Sequence, residues 1–394
     1  MAKGIRQITK IIYFIESPFN RRDYKRFGIE TFIQDGFEVY VWDFTPFLHP
    51  EVCQKVNVPD PITYERYRQF LTKKEALSAI QNEFDDSFVV CLLGYNFKSF
   101  PFFRVLSKNR IQYCVTMSNA LPLITQKPQP IDVLKKILRA TPKKLINYVF
   151  VRIPYRYLGV VDACFNLAGG ALSTKYKFPV GPKTETLWLH TLDYDIYLKE
   201  RNKLVQTKKN MGVFLDSYLP FHPDFVHEQV LNPTTPEKYY PLLRRFFDFV
   251  QDNYGVCINI AAHPRSKYEE YPDYFGGRSV VRGKTIQMVR ESEFVIAHSS
   301  TALNFAVLFG KPVIFITTNE LQQSSMGPFI ELMASWFGKQ SININNPIEL
   351  DWDKELTVDE VAYSKYKNCY IKKNGSEDIP FWQVVSNKIK TLDA

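Results

Sequence analysis

Small polar groups follow an apolar run near the end of this 394-residue chain, in the segment FVIAHSSTALNFAVLFG. Ser299, Ser300 and Thr301 would lie where a predicted strand ends and a predicted helix begins. The first N–H groups of a helix have no partner within it and favour an anion, and hydroxyl groups add further donors. This pattern predicts a phosphate site, and simple capping of the helix by Ser299 or Ser300 is the alternative.

A histidine ends a second apolar run, in INIAAHPRS. His263 could donate a hydrogen bond to a phosphate or to a leaving-group oxygen. Arg265 could add positive charge or hold the loop in place. A histidine of a surface loop is the alternative interpretation of His263 alone. Two such strand ends in one α/β pattern favour a shared site.

A carboxylate ends a third run, in GVFLDSYLPFHPDF. Asp216 could act as a nucleophile or as a general base, and Asp224 is the competing carboxylate nearby. Capping of a turn is the structural alternative for Asp216. Asp193 and Asp195 have the spacing of a metal-binding pair, but a structural role at the exit of the first domain is the favoured interpretation. We therefore predict no metal and no cofactor.

Alternating apolar runs and helical patterns indicate α/β architecture. Runs such as KIIYFIES, FEVYVWDF and SFVVCLLGY predict buried parallel strands, and the pattern restarts after the charged stretch LKERNKLVQTKKN. We predict two Rossmann-like doubly wound domains that flank a central cleft. The first domain would span residues 1–205 and the second 206–370, and a helix within 371–394 would pack back on the first.

Composition limits the possible partners. The net charge of +9 suits a nucleotide or an anionic membrane surface, and no zinc-finger, helix-turn-helix or RNA-binding signature accompanies it. Nucleic acid is therefore not predicted. No run is long enough to span a membrane, and the six cysteines, none in a CxxC pair, are typical of reduced thiols in a cytosolic protein.

Basic and apolar residues alternate between positions 130 and 157. This segment could lie on an anionic membrane surface, which would place the protein on the inner face of a bacterial inner membrane. An ordinary basic helix pair on the outside of the first domain is the alternative.

The motifs HPRS, HSST and FLDSYLPFHPD together resemble those of bacterial GT-B glycosyltransferases that use CMP-activated sugars. That group includes sialyltransferases and transferases of 3-deoxy-manno-octulosonic acid (Kdo) in capsule and lipopolysaccharide assembly. The resemblance implies a GT-B-like fold. It also implies that His263 contacts the CMP phosphate, with Pro264 shaping its loop, that Ser299 and Ser300 hold the same phosphate, and that Asp216 acts at the anomeric carbon. The segment EFDDSF lacks the glycine of the sialyltransferase carboxylate motif, which favours the Kdo branch.

The predicted activity is transfer of a Kdo-type sugar from CMP-Kdo to a growing surface polysaccharide or glycolipid. The same architecture would also suit a sialyltransferase, a CDP-glycerol transferase or a UDP-sugar transferase. A non-catalytic nucleotide- or sugar-binding scaffold is the alternative of another class. Glu16 and Asn119, which follow predicted strands of the first domain, could touch the saccharide acceptor, although each could equally cap a helix.

Overall fold

The structure, a computed structural model, describes residues 7–55, 58, 60–123, 142–175, 177–203, 207–227, 230–346 and 349–392. The chain forms two compact units. Unit 1 contains residues 1–118, 125–189 and 377–394, and unit 2 contains residues 119–124 and 190–376.

Unit 1 is built on a parallel sheet, which has seven strands among the described residues. The strands are β1 (Lys10–Ile15), β2 (Glu38–Asp43), β3 (Tyr67–Gln69), β4 (Ser87–Cys91), β5 (Gln112–Met117), β6 (Phe165–Ala168) and β7 (Glu185–Trp188). They lie in the order β3-β2-β1-β4-β5-β6-β7, so the direction of winding reverses between β1 and β4. Every residue of β4 is buried, as expected for a central strand covered on both faces.

The helices of unit 1 lie between these strands. They are Arg21–Arg26, Ile29–Gln34, Thr45–Leu48, Pro50–Lys55, Lys73–Asn82, Phe100–Lys108 and Pro142–Phe150, followed after unit 2 by Phe381–Ile389. Phe100–Lys108 shows why they form: Phe102, Phe103 and Leu106 recur at helical spacing and are fully buried against the sheet.

Unit 2 repeats this architecture with a parallel sheet that has six strands in the described part of the chain. The strands are β8 (Met211–Leu215), β9 (Cys257–Ala262), β10 (Val280–Arg282), β11 (Phe294–Ala297), β12 (Val313–Thr317) and β13 (Ile342–Asn343). Their order is β10-β9-β8-β11-β12-β13, so winding reverses between β8 and β11. In open α/β sheets ligands bind beyond the carboxyl ends of the strands at such a reversal.

The helices of unit 2 are Leu192–Glu200, Pro223–His227, Pro236–Tyr254, Thr285–Glu291, Leu303–Leu308, Asn319–Gln323, Met326–Trp336, Trp352–Glu355 and Glu360–Tyr366. Pro236–Tyr254 matches its sequence signals, because proline occupies its first turn and Gly255 ends it in the left-handed conformation, at φ 63°. The α/β fold class with two Rossmann-like doubly wound domains is confirmed.

The units divide at a different place from the predicted boundary after residue 205. The longer segment of unit 2 begins at His190, because the helix Leu192–Glu200 contacts the helix Leu303–Leu308 of that unit. The last segment of unit 1 begins at Glu377 rather than at residue 371.

The C-terminal helix Phe381–Ile389 is fastened to unit 1 at two points. Nε1 of Trp382 donates to the carbonyl oxygen of Arg26 over 2.5 Å. Near the end of the helix, Ser386 donates to Asp35 over 2.5 Å and Lys390 pairs with the same carboxylate over 2.8 Å. These hydrogen bonds lower the pKa of Asp35, with Lys390 as the main cause.

Gly28 provides a test of this packing. It has φ 60°, and a Cβ atom there would lie 2.4 Å from Cδ1 of Trp382. We expect Gly28→Ala to lower the free energy of unfolding by about 2–5 kcal/mol, through left-handed strain and overpacking together. Urea unfolding of both proteins measures this difference.

Gly36→Ala is the matched control. Gly36 also has a positive φ, of 91°, but nothing lies within 4 Å of the position that its Cβ would take. Gly36→Ala should therefore lower the free energy of unfolding only by the cost of the left-handed backbone. Equal losses in the two variants would mean that Trp382 does not pack against Gly28.

Candidate functional site

The loops after β8, β9 and β11 bring the predicted phosphate-binding groups together in unit 2. These three strands are neighbours in the sheet, and winding reverses between β8 and β11. Asp216 follows β8 directly, His263 follows β9 and His298 follows β11. The loops are joined across the reversal by Oγ of Ser217, which donates to the carbonyl oxygen of Ser299 over 3.1 Å.

Asp216 holds two of these loops. Its Oδ1 accepts from the backbone N–H of Tyr218 over 2.8 Å. Its Oδ2 accepts from the backbone N–H of His263 over 3.2 Å and from the hydroxyl of Tyr268 over 2.8 Å. Only 4% of Asp216 is exposed. These contacts suit a residue that positions the loop of His263, and the catalytic role that the sequence suggested for Asp216 stays a prediction.

Burial raises the pKa of Asp216 to about 6. The hydrogen bonds from Tyr218, Tyr268 and His263 act in the opposite direction, but desolvation of the carboxylate outweighs them.

Tyr218 is held in the left-handed region, at φ 52°, which costs a non-glycine residue about 1–2 kcal/mol. Its N–H is fixed by Asp216, and its ring is nearly parallel to that of His263, with centroids 6.2 Å apart. Strained backbone of this kind concentrates at functional sites, where the surrounding contacts enforce it.

His263, Pro264 and Arg265 form a tight turn. The N–H of Ser266 donates to the carbonyl oxygen of His263 over 2.9 Å, and the N–H of Arg265 donates to Nδ1 of His263 over 3.2 Å. Because Nδ1 accepts, the proton of the neutral ring is on Nε2. The guanidinium of Arg265 pairs with Asp224 over 3.1 Å, which matches the loop-holding interpretation of Arg265.

His222 is a member of this cluster that the sequence interpretation missed. Its ring centroid lies 4.6 Å from that of His263. The signal was present, because His222 and Pro223 form a second His-Pro pair, within the segment LPFHPDF.

The serine cluster divides into buried and exposed groups. Ser299 is 6% exposed, and among the described residues its Oγ has no hydrogen-bond partner. Ser300 is half-buried and accepts from the N–H of Ala302, whereas Thr301 is exposed. The helix begins only at Leu303, with Ala302 as its cap, so neither serine caps it in the expected way.

His298 points into the core of unit 2. Its Nδ1 donates to the carbonyl oxygen of Ile316 over 2.6 Å, and its Nε2 accepts from the hydroxyl of Tyr239 over 2.7 Å. Burial lowers the pKa of His298 to about 4, so the ring is neutral at neutral pH.

The predicted acceptor residues lie in separate units. In unit 1, Glu16 follows β1 at the reversal of the sheet. It accepts from the N–H of Gly94 over 2.7 Å, and its Oε2 lies 3.0 Å from Nε2 of His49. In unit 2, Oδ1 of Asn119 accepts from the N–H of Leu192, the first residue of a helix. That contact is the helix-capping alternative, and acceptor binding by Glu16 and Asn119 stays a prediction.

Asp193 makes a structural contact. Its Oδ2 accepts from the side-chain amide of Asn304 over 3.1 Å inside unit 2. Within the part of the chain that the structure describes, no three His, Cys, Asp or Glu side chains are grouped so that they could hold a metal ion.

The predicted membrane segment, residues 130–157, is described only from Pro142 onward. Its described part exposes large apolar side chains, namely Leu145, Ile146, Tyr148, Val149, Ile153 and Tyr157. Arg152 stacks on Tyr148, with its guanidinium carbon 3.3 Å from the ring centroid. None of the described helices has the length and apolarity needed to cross a bilayer. Binding of an anionic membrane surface stays a prediction.

Neither a family model nor a curated protein matches this sequence. Among solved structures, the chain is similar to a UDP-GlcNAc 2-epimerase from Methanocaldococcus jannaschii, with a TM-score of 0.47 and 12% identity over 96% of this chain and 99% of that chain. It is also similar to the wall teichoic acid polymerase TagF, with a TM-score of 0.49 and 9% identity over 98% of this chain and 88% of that chain. For MurG from Acinetobacter baumannii the TM-score is 0.45, at 9% identity over 98% and 100% of the two chains. At these values the similarity carries no argument about activity.

The pKa of Asp216 predicts a pH dependence of stability. The native carboxyl keeps its proton up to about pH 6, whereas an unfolded aspartate releases it near pH 3.8. Between these values the native state binds more protons, so this contribution to stability is lost as pH rises. We expect the stability of wild type relative to Asp216→Asn to fall by about 2.5 kcal/mol between pH 4 and pH 7.

Urea unfolding at several pH values measures this difference. Asp252→Asn, which removes an exposed carboxylate of the same unit, is the matched control for the loss of one charge. The measured quantity is the difference in free energy of unfolding between wild type and each variant. If this difference changes with pH no more for Asp216→Asn than for Asp252→Asn, Asp216 is not buried as described.

Proposed function

We propose that this protein is a glycosyltransferase that uses a nucleotide-activated sugar and binds the donor phosphate at the carboxyl edge of the unit 2 sheet. The observation that carries the proposal is the buried hydroxyl of Ser299, which has no partner among the described residues and lies at the reversal, in a loop that Ser217 joins to the loop after β8. A buried hydroxyl without a hydrogen bond costs about 1–3 kcal/mol. A phosphate oxygen would restore that bond.

Each residue has a distinct part in this proposal. His263 presents its Nε2–H to a phosphate oxygen, and Ser299 donates its hydroxyl to the same group. Asp216 fixes the backbone of His263, and Arg265 holds the loop through Asp224. Donors fixed in advance stabilise the negative charge that develops on the phosphate as the glycosidic bond breaks, without reorganisation at the moment of reaction.

The proposed donor is CMP-Kdo, and the proposed acceptor is a surface polysaccharide or glycolipid. This finer assignment is supported by the resemblance of the HPRS, HSST and FLDSYLPFHPD motifs alone. A CMP-sugar has one phosphate, which a few hydrogen-bond donors can serve without a metal ion.

Incubation of the full chain with CMP-Kdo and candidate saccharide acceptors tests the donor assignment. CMP release together with a product heavier by one Kdo unit is the expected result. Parallel reactions with CMP-sialic acid, CDP-glycerol and UDP-sugars provide the comparison. Preference for any of these would exclude CMP-Kdo, and binding of a nucleotide without turnover would identify a non-catalytic scaffold.

Ser299→Ala separates a ligand-binding role from a structural one. The substitution removes a hydroxyl that has no hydrogen-bond partner among the described residues, so the unfolding midpoint of the ligand-free protein should stay unchanged or rise. CMP should raise that midpoint less than in wild type, because CMP binding is expected to weaken about tenfold or more. Thermal unfolding and calorimetric titration with CMP measure the two effects.

Ser335→Ala, an exposed serine on the helix Met326–Trp336, is the matched control and should respond to CMP as wild type does. The phosphate site is wrong if Ser299→Ala binds CMP with wild-type affinity. If none of CMP, CDP and UDP stabilises wild type at millimolar concentration, the whole proposal fails.

A further inference from the structure

Two segments of unit 2 repeat one local arrangement, a histidine followed by a proline and a charged residue. They are His222-Pro223-Asp224, after β8, and His263-Pro264-Arg265, after β9. In each, the backbone N–H of the third residue donates to Nδ1 of the histidine, over 3.1 Å and 3.2 Å respectively. Proline favours this geometry, because it keeps the residue before it in an extended conformation.

The arrangement sets the tautomer of both rings. A neutral imidazole has one donor and one acceptor nitrogen, and in each histidine Nδ1 is the acceptor. Both rings therefore carry their proton on Nε2. Asp224 also lies near Nδ1 of His222, but its Oδ2 is 3.8 Å away, beyond hydrogen-bond distance.

The two segments are held side by side. The third residues pair with each other, with NH1 of Arg265 3.1 Å from Oδ1 of Asp224. The two imidazole centroids are 4.6 Å apart. The charges of Arg265 and Asp224 compensate each other in this ion pair. The two neutral imidazoles lie next to each other beside it.

His222 is placed to serve a ligand. Its side chain is 19% exposed, and its ring is steeply inclined to that of Phe225, with centroids 5.9 Å apart. Among the described residues no protein atom is hydrogen-bonded to its Nε2. Burial lowers the pKa of His222, so the ring is a neutral donor at neutral pH.

We propose that His222 is a second donor to the phosphate of the nucleotide, and that His222 and His263 together form a two-imidazole clamp for this anion. The inference rests on the proposed function, because it assumes that His263 and Ser299 bind the phosphate of the nucleotide. Two N–H groups on adjacent rings match an anion with several acceptor oxygens, and hydrogen bonds to a charged group are the stronger kind.

The competing interpretation is structural: Nδ1 of His222 caps the short helix Pro223–His227 by accepting from Asp224. Two substitutions separate the roles. Asparagine keeps an acceptor near the position of Nδ1 and is a good cap, but it has no donor at Nε2. Glutamine reaches toward the Nε2 position with its amide but loses the local acceptor.

The test is calorimetric titration of the full chain with CMP and with cytidine, which lacks the phosphate. We expect His222→Asn to weaken CMP binding about tenfold, to leave cytidine binding unchanged, and to keep the wild-type unfolding midpoint. His222→Gln should bind CMP more tightly than His222→Asn. The double variant with His263→Asn should lose less affinity than the product of the two single losses, because the rings serve one anion.

The clamp is overturned if His222→Asn is folded and binds CMP as wild type does, or if cytidine affinity falls as much as CMP affinity. If His222→Asn does not fold, wild type is titrated with CMP and the imidazole nitrogen signals are followed in NMR spectra, and an unshifted Nε2 of His222 would show that His222 is a cap only.

A failure of the proposed function gives a different result, in which wild type binds none of CMP, CDP and UDP. The clamp is then tested with inorganic phosphate and pyrophosphate, observed through the imidazole nitrogen signals in NMR spectra. Shifts at Nε2 of both His222 and His263 support the clamp, and an unshifted His222 overturns it.

Discussion

The buried carboxylate of Asp216 is the interaction on which the candidate site depends. It accepts hydrogen bonds from the loop after β8 and from the loop after β9, and so fixes Tyr218 and His263 together. With 4% of the residue exposed, water cannot replace these bonds. The left-handed backbone of Tyr218 persists because this contact offsets its cost.

Burial removes Asp216 and His298, two titratable groups at this edge of the sheet, from contact with water. It raises the pKa of Asp216 and lowers the pKa of His298, and in both cases it favours the neutral form. Their effects on stability therefore oppose each other in mildly acidic solution, where Asp216 loses stability with rising pH and His298 gains it. In the same surroundings the hydroxyl of Ser299, which has no partner among the described residues, is costly to bury.

In both units a carboxylate follows the strand at the reversal and binds the loop of a neighbouring strand, but the two neighbours lie on opposite sides of that strand. In unit 1, Glu16 follows β1 and accepts the N–H of Gly94 from the loop after β4. In unit 2, Asp216 follows β8 and accepts the N–H of His263 from the loop after β9. Each sheet thus ties a neighbouring loop to its central strand through a carboxylate. Glu16 remains partly exposed beside His49, whereas Asp216 is enclosed.

The sequence by itself determined the two β/α repeats, the central strands, and the positions of Asp216, His263 and Ser299 at strand ends, because these follow from local patterns of apolar residues. Short edge strands such as β3 and β10 carry too few apolar residues to be predicted in this way. Only the tertiary structure decided that His298 faces the core, that the serine loop delays its helix to Leu303, and that His222 joins His263. These outcomes depend on strand order and on contacts between loops distant in sequence, which a local pattern does not encode.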